Sequence, residues 1–201
     1  MVYTPPKLLT VEAFIAEYGN DPTYELADGE LIDMEPTGPH EMVGGKLATK
    51  LGVEIERSQQ PWFIPRTCLI QPDPAIATAR RPDVIVLDET QLTTEPLWHR
   101  QPAITQADSI KLVVEVVSTN WENDYARKVE EYAFFGIPEY WIVDFRGLGG
   151  IAFIGKPKQP TLTVGHLEGD RYHQTLYRLG EPIQSPLFPN LDLCLDDIMP
   201  R

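Results

Sequence analysis

The segment Leu112-Val113-Val114-Glu115-Val116-Val117 constrains this chain more than any other. Its length and β-branched content are those of a strand buried on both faces, in the middle of a sheet rather than at its edge. One carboxylate interrupts it. Burying an unpaired carboxylate costs on the order of several kcal/mol, so Glu115 requires a partner or a metal. A second short apolar run, Pro82-Asp83-Val84-Ile85-Val86-Leu87, opens with another acid straight after Arg81. If the two strands are neighbours, Asp83 and Glu115 converge at one end of the sheet. Oxygen ligands from one or two carboxylates suit a hard cation such as Mg²⁺, which keeps part of its water shell.

The flanking sequence predicts the rest of the sheet. Asn123 to Phe135 carries a helical pattern that Gly136 ends, and Pro138 leads into Tyr140-Trp141-Ile142-Val143. Strand, helix and strand in that order predict a βαβ crossover and a mixed central sheet. Thr10 reads as the N-cap of a short helix to about Tyr18. Asp28-Gly29 reads as a hairpin turn between Tyr24-Glu25-Leu26 and Leu31-Ile32-Asp33-Met34. A turn, Pro36-Thr37-Gly38-Pro39, precedes His40, and the apolar spacing from Met42 predicts a helix to about Ser58. Gly44-Gly45 weakens that helix and reads as a place of close packing. Phe63 to Ile70 predicts one strand, and residues 90–110 an excursion loop around Pro96 and Pro102. Thr161 to Val164 and Tyr172 to Tyr177 predict a C-terminal β-hairpin on a sheet edge, before a segment stiffened by Pro182, Pro186 and Pro189. With no evident linker, residues 1–201 read as one α/β domain.

Composition narrows the function. At 42% hydrophobic residues the chain is not of disordered type, and no apolar run approaches the ~20 residues of a membrane helix. Met1 to Thr10 lacks the apolar stretch of a signal peptide. Two cysteines, Cys68 and Cys194, are too few for a disulfide framework or a zinc cage, which makes a cytoplasmic setting the default. A net charge of −13 counts against a general nucleic-acid coat but leaves room for a local basic cleft or an acidic metal site. No Gly-X-Gly-X-X-Gly, Walker-type or Gly-X-Ser-X-Gly motif is present. Asp83 with Glu115 would also serve glycoside hydrolysis, given a sugar cleft that sequence does not display.

An ammonium completes the constellation. Asp124, Lys128 and Tyr132 recur every four residues and so share one helical face. Packed back on the sheet, that face aims Lys128 towards Glu115. Two carboxylates and a lysine around a metal and a water are the apparatus of phosphodiester hydrolysis.

Four stretches carry a resemblance. They are Arg81-Pro82-Asp83, Val114-Glu115-Val116-Val117-Ser118, Asp124…Lys128…Tyr132, and Gly136-Ile137-Pro138-Glu139-Tyr140-Trp141-Ile142-Val143-Asp144. Together they resemble the Uma-two restriction endonuclease family, itself similar to the PD-(D/E)XK nuclease superfamily. The likeness also takes in Tyr24 to Gly29 and the turn before His40, so its motif core is about 20–145. It implies a restriction-endonuclease-like mixed central sheet flanked by helices. It also implies hydrolysis of DNA with Mg²⁺ or another divalent cation such as Mn²⁺, and a homodimer. Asp83 and Glu115 would be metal ligands, with the backbone carbonyl of Val116 as a third. The lysine of the superfamily's Glu-X-Lys would fall on Val117, which carries no charge. The resemblance moves that role to Lys128, 13 residues after Glu115.

Several residues stay open to two readings. Glu25 either completes a metal shell or lies on an exposed strand face, the latter being the reading for Glu30. His40 is either a residue of the helix N-terminus or a contact to phosphate. Asp124 reads as a charge at the helix N-terminus before a metal contact, Ser118 and Thr119 as turn residues, and Asp144 as a strand end. Glu115 also fits a structural ion pair with Lys128 or Arg127. Tyr132, Tyr140 and Trp141 belong to the core or an interface, with Trp141 and the C-terminal hairpin as candidate dimer contacts. The alternative function is a catalytically inactive nuclease fold used as a binding or assembly module, for which the net charge and the displaced lysine speak.

Overall fold

The computed structural model describes residues 8–201; residues 1–7, on which the reading of the N-terminus mostly rests, lie outside them. Local chemistry sets the first elements. Helix α1 (Val11–Tyr18) begins where the Thr10 hydroxyl accepts the Ala13 N–H at 3.2 Å, and it stops at Gly19. Strands β1 (Tyr24–Ala27) and β2 (Glu30–Asp33) form an antiparallel hairpin. Its two central residues, Asp28 and Gly29, both take positive φ (51° and 82°), as a turn matched to strand twist requires. Helix α2 (Gly38–Ser58) starts earlier than its apolar pattern, because Pro39 is tolerated in a first turn whose N–H groups have no helical acceptor. The expected close packing at Gly44-Gly45 is absent: a Cβ on either glycine would meet nothing within 4 Å.

The strand expected over Phe63 to Ile70 is two strands in different sheets. β3 (Trp62–Phe63) ends before Pro65, which has no N–H to continue a ladder, and β4 (Leu69–Ile70) resumes beyond it. β5 (Val84–Asp88) follows. The expected loop over residues 90–110 also carries structure: two short 3₁₀ turns and β6 (Ala103–Ile104), which pairs parallel with β4. Then come β7 (Ile110–Val116), a π-helical turn over Asn123–Arg127, α3 (Lys128–Phe135) and β8 (Glu139–Asp144). Gly136 closes α3 at φ 97°, a conformation that glycine adopts without strain. A short α4 (Ile151–Ile154) precedes β9 (Thr161–Glu168), β10 (Arg171–Tyr177) and α5 (Leu195–Ile198).

Six strands make one mixed sheet in the order β10-β9-β8-β7-β5-β3. β7 and β8 run parallel, with Leu112 opposite Glu139 and Val116 opposite Val143, and the helix between them makes the crossover foreseen from the sequence. The remaining neighbours are antiparallel, and β9–β10 is the edge hairpin. Alternation along β5, β7 and β8 divides the core. Val84, Val114 and Trp141 pack under Val43, Leu47 and Leu51 of α2. Ile85, Val113 and Ile142 pack on the opposite face with Tyr132 and Ile137. Trp141 is wholly buried, so the core reading holds for it and the dimer contact does not. No helix among the described residues is long and apolar enough to cross a membrane.

Candidate active site

β5 and β7 are antiparallel neighbours, and Val84 lies opposite Val114. The next residue outward on each is an acid, which puts Asp83 and Glu115 at the same end of the sheet. By alternation both share the face of Ile85 and Val113, the side on which α3 packs. Strand pairing stops here, and the Asp83 carboxylate takes over as acceptor: the Val116 N–H donates to its Oδ2 at 2.6 Å. From the opposite layer His40, in the first turn of α2, donates from Nε2 to the Val116 carbonyl at 2.7 Å and lies 3.5 Å from Asp83 Oδ2.

The helix after β7 closes the cluster. Lys128 Nζ stands 2.9 Å from Glu115 Oε2 and 3.2 Å from Asp124 Oδ1, and Tyr132 donates its hydroxyl to Glu115 Oε1 at 2.8 Å. The predicted Asp124–Lys128–Tyr132 face therefore exists, although its first turn is π-helical. There the Lys128 N–H reaches back five residues to the Asn123 carbonyl. The Asp124 carbonyl accepts instead from the Tyr140 hydroxyl at 3.0 Å, so a side chain of the next strand fixes this turn. Sequence periodicity does not distinguish the two helix types.

Charge in the cluster is unbalanced. Three acids, Asp83, Glu115 and Asp124, share the cluster with one ammonium, which contacts Glu115 and Asp124; these two are buried, while Asp83 keeps 18% of its side chain exposed. Burial pushes the Asp83 carboxyl up, against the pull of the Val116 N–H and Lys128, and Asp124 adds to the rise. Burial likewise raises Glu115, with Lys128 opposing and Asp83 and Asp124 reinforcing, and it raises Asp124. For Lys128 burial alone would favour the neutral amine, but Glu115, Glu25 and Asp124 hold it well above its ordinary value. Burial lowers His40, which favours the neutral ring.

Glu25 lines the same cavity, but a different cation holds it. Arg80, itself buried, donates to Glu25 Oε1 at 2.9 Å and to both carboxylate oxygens of Glu131 at 2.7 and 2.8 Å. Glu25 is therefore not on an exposed strand face, whereas Glu30 is exposed as expected. Arg127 pairs with Asp28 at 2.8 Å and with Glu131, so Lys128 is the partner of Glu115. Asp144 accepts the N–H groups of Leu148 and Gly149, as a strand-end residue should. Sequence reasoning missed Arg80 and also Arg146 at the cavity rim. The usable signal for Arg80 was a pair of adjacent arginines leading into a buried strand.

These groups face a cavity of about 360 Å³, walled by β2, the start of α2 and the segment after β7. The donor set fits a hard divalent ion: carboxylate oxygens in excess over ammonium, beside one backbone carbonyl. Among the described residues no three His, Cys, Asp or Glu side chains would enclose an ion by themselves. The fit is thus to a hydrated cation on one or two carboxylates, as Mg²⁺ is commonly held.

Fold and site together define a restriction-endonuclease-like α/β protein. The chain belongs to the Uma2 family, described as "Putative restriction endonuclease", whose model matches residues 11–196. A solved structure is also similar: "a putative nuclease belonging to DUF820" from Anabaena variabilis ATCC 29413, with a TM-score of 0.68 over 94% of this chain and 97% of that one. At 14% identity that likeness bears on the fold alone. No curated protein matches the chain.

Proposed function

We propose that this protein is a Mg²⁺- or Mn²⁺-dependent endonuclease that hydrolyses DNA phosphodiester bonds, with residues 1–201 as one domain. The observation that supports the reading is the 2.9 Å contact between Lys128 Nζ and Glu115, since Val117 cannot carry the charge and an amine from the following helix is at hand beside the carboxylate. Asp83, Glu115 and the Val116 carbonyl would hold the cation, whose chemistry is to polarise a phosphoryl oxygen and acidify a bound water. Lys128 stays protonated between Glu115 and Asp124, where it orients the attacking water and steadies charge developing on the phosphate. Tyr132 fixes the Glu115 carboxylate from behind, and Asp83 is locked by the Val116 N–H. His40 holds the Val116 carbonyl in place.

Cleavage of DNA by the purified protein with Mg²⁺, compared with Lys128→Ala and Asp83→Ala, tests the reading. Loss of activity in both variants is expected, and equal activity in all three overturns it. A second reading, a silent nuclease fold serving as a binding module, draws on the full engagement of Lys128 by two carboxylates. Metal titration separates the two: divalent affinity no greater than that of Glu115→Gln favours the silent fold. The resemblance further carries a cytoplasmic homodimer, for which molar mass in solution is the check on assembly.

A further inference from the structure

The cations around the cavity are unequally engaged. Six lining side chains are acids, and two of them, Asp33 and Glu35, stand exposed on the β2 wall. Lys128 is already held by carboxylates. Arg146, just beyond β8, is exposed, lies with its Cζ 5.4 Å from the centre of the Phe145 ring, and has no carboxylate partner among the described residues. Stacked in that way, its planar fork of N–H donors is oriented yet unused, the arrangement that suits bidentate contact with a phosphate. Arg146 lines the same cavity as Asp83 and Glu115.

A duplex presents two phosphate backbones and needs a broad cationic footprint. Among the described residues this rim offers one free guanidinium beside carboxylates, on a chain of net charge −13. An unpaired strand brings fewer phosphates and exposes the faces of its bases. The same cavity is lined by Ile32 and Met34, both half-buried, a surface against which a base can rest. A volume of about 360 Å³ suits a nucleotide rather than a double helix. Resting on the nuclease reading, we propose that the cavity takes one unpaired DNA strand, with Arg146 gripping a phosphate adjacent to the scissile one and the β2 wall receiving a base.

The test uses one labelled oligonucleotide in three forms: alone, as a blunt duplex, and as a duplex with an unpaired tail. Cleavage is followed with Mg²⁺ at fixed salt, and affinity by fluorescence anisotropy with Ca²⁺, for the full chain and for Arg146→Ala and Arg146→Lys. The unpaired forms should be cut at least about tenfold faster than the blunt duplex. Arg146→Ala should weaken their binding by about tenfold, with Arg146→Lys between, as expected for one charge-assisted phosphate contact. Cutting of the blunt duplex at an equal rate, abolished in a Lys128→Ala control, overturns the strand preference and leaves the nuclease reading standing. If no form is cut, affinities decide. Arg146-dependent preference for the unpaired strand upholds the assignment while the nuclease reading fails. Equal affinities, no binding, or indifference to Arg146→Ala overturn the proposal.

Discussion

Two buried glutamates on adjacent strands, Glu115 near the end of β7 and Glu139 at the start of β8, have opposite surroundings. Glu139 is wholly enclosed and accepts only from neutral donors: the Trp141 indole and the Ser185 hydroxyl, each at 2.6 Å, and the Leu187 N–H at 3.4 Å. It fastens the C-terminal segment to the sheet. Glu115 touches an ammonium and a phenol, feels the charge of Asp83, Asp124 and Glu25, and borders a cavity. Burial raises the pKa of both. A buried acid is therefore no mark of a site by itself. What separates the two is unbalanced charge and access, since neutral donors satisfy a carboxylate without leaving anything to attract a cation.

The contrast breaks hardest at Lys128. Lys128→Ala leaves Glu115 and Asp124 without their ammonium, so DNA cleavage should fall by about 10²-fold or more, and urea unfolding should register a loss of about 3–5 kcal/mol. Unchanged cleavage and midpoint would remove the distinction between the two glutamates. Glu139→Ala should act on stability alone, costing about 1–3 kcal/mol for the unpaired indole and hydroxyl, with cleavage per folded molecule unaltered. A large loss of specific activity there would be the surprise.

Acidity sharpens the comparison. In chelator, Asp83, Glu115, Asp124 and Glu139 all hold protons in the folded state to a higher pH than the unfolded chain does. At these four sites the folded state binds more protons, so their share of the stability falls as pH climbs from about 4, the ordinary carboxylate range, towards neutrality, while Glu131 and His40, both lowered, act in the opposite direction. Set against the parent chain, Glu115→Gln should therefore lose less urea midpoint, or gain more, over that window. An identical pH dependence in the two proteins contradicts the assignment. The smallest effect belongs to Gly45→Ala, at an exposed helical position where a Cβ meets open space. A gain of about 0.5–1 kcal/mol is expected, and a loss would restore the close packing read from the sequence.

The parts legible in the sequence were those with short-range causes. Thr10, Asp28-Gly29 and Gly136 each impose a local geometry, and Glu115 in its valine run announced a buried acid in need of company. The four-residue spacing then found Lys128. The failures were long-range. Whether β3 and β4 share a sheet depends on partners distant in sequence, and β6 exists through β4. The π turn depends on the Tyr140 hydroxyl, 16 residues away. Arg80 finds Glu25 and Glu131 only once three separate segments have met. Of the two readings of Trp141, core and interface, the core one holds, because β8 lies inside the sheet.

Arg80 grips a strand of the hairpin with one nitrogen and the helix that carries Lys128 with two others. The two jaws of the cleft thus share a fulcrum. Any guest that levers the hairpin outward strains the same guanidinium that steadies the helix, so widening the mouth and displacing the amine are one movement, not two.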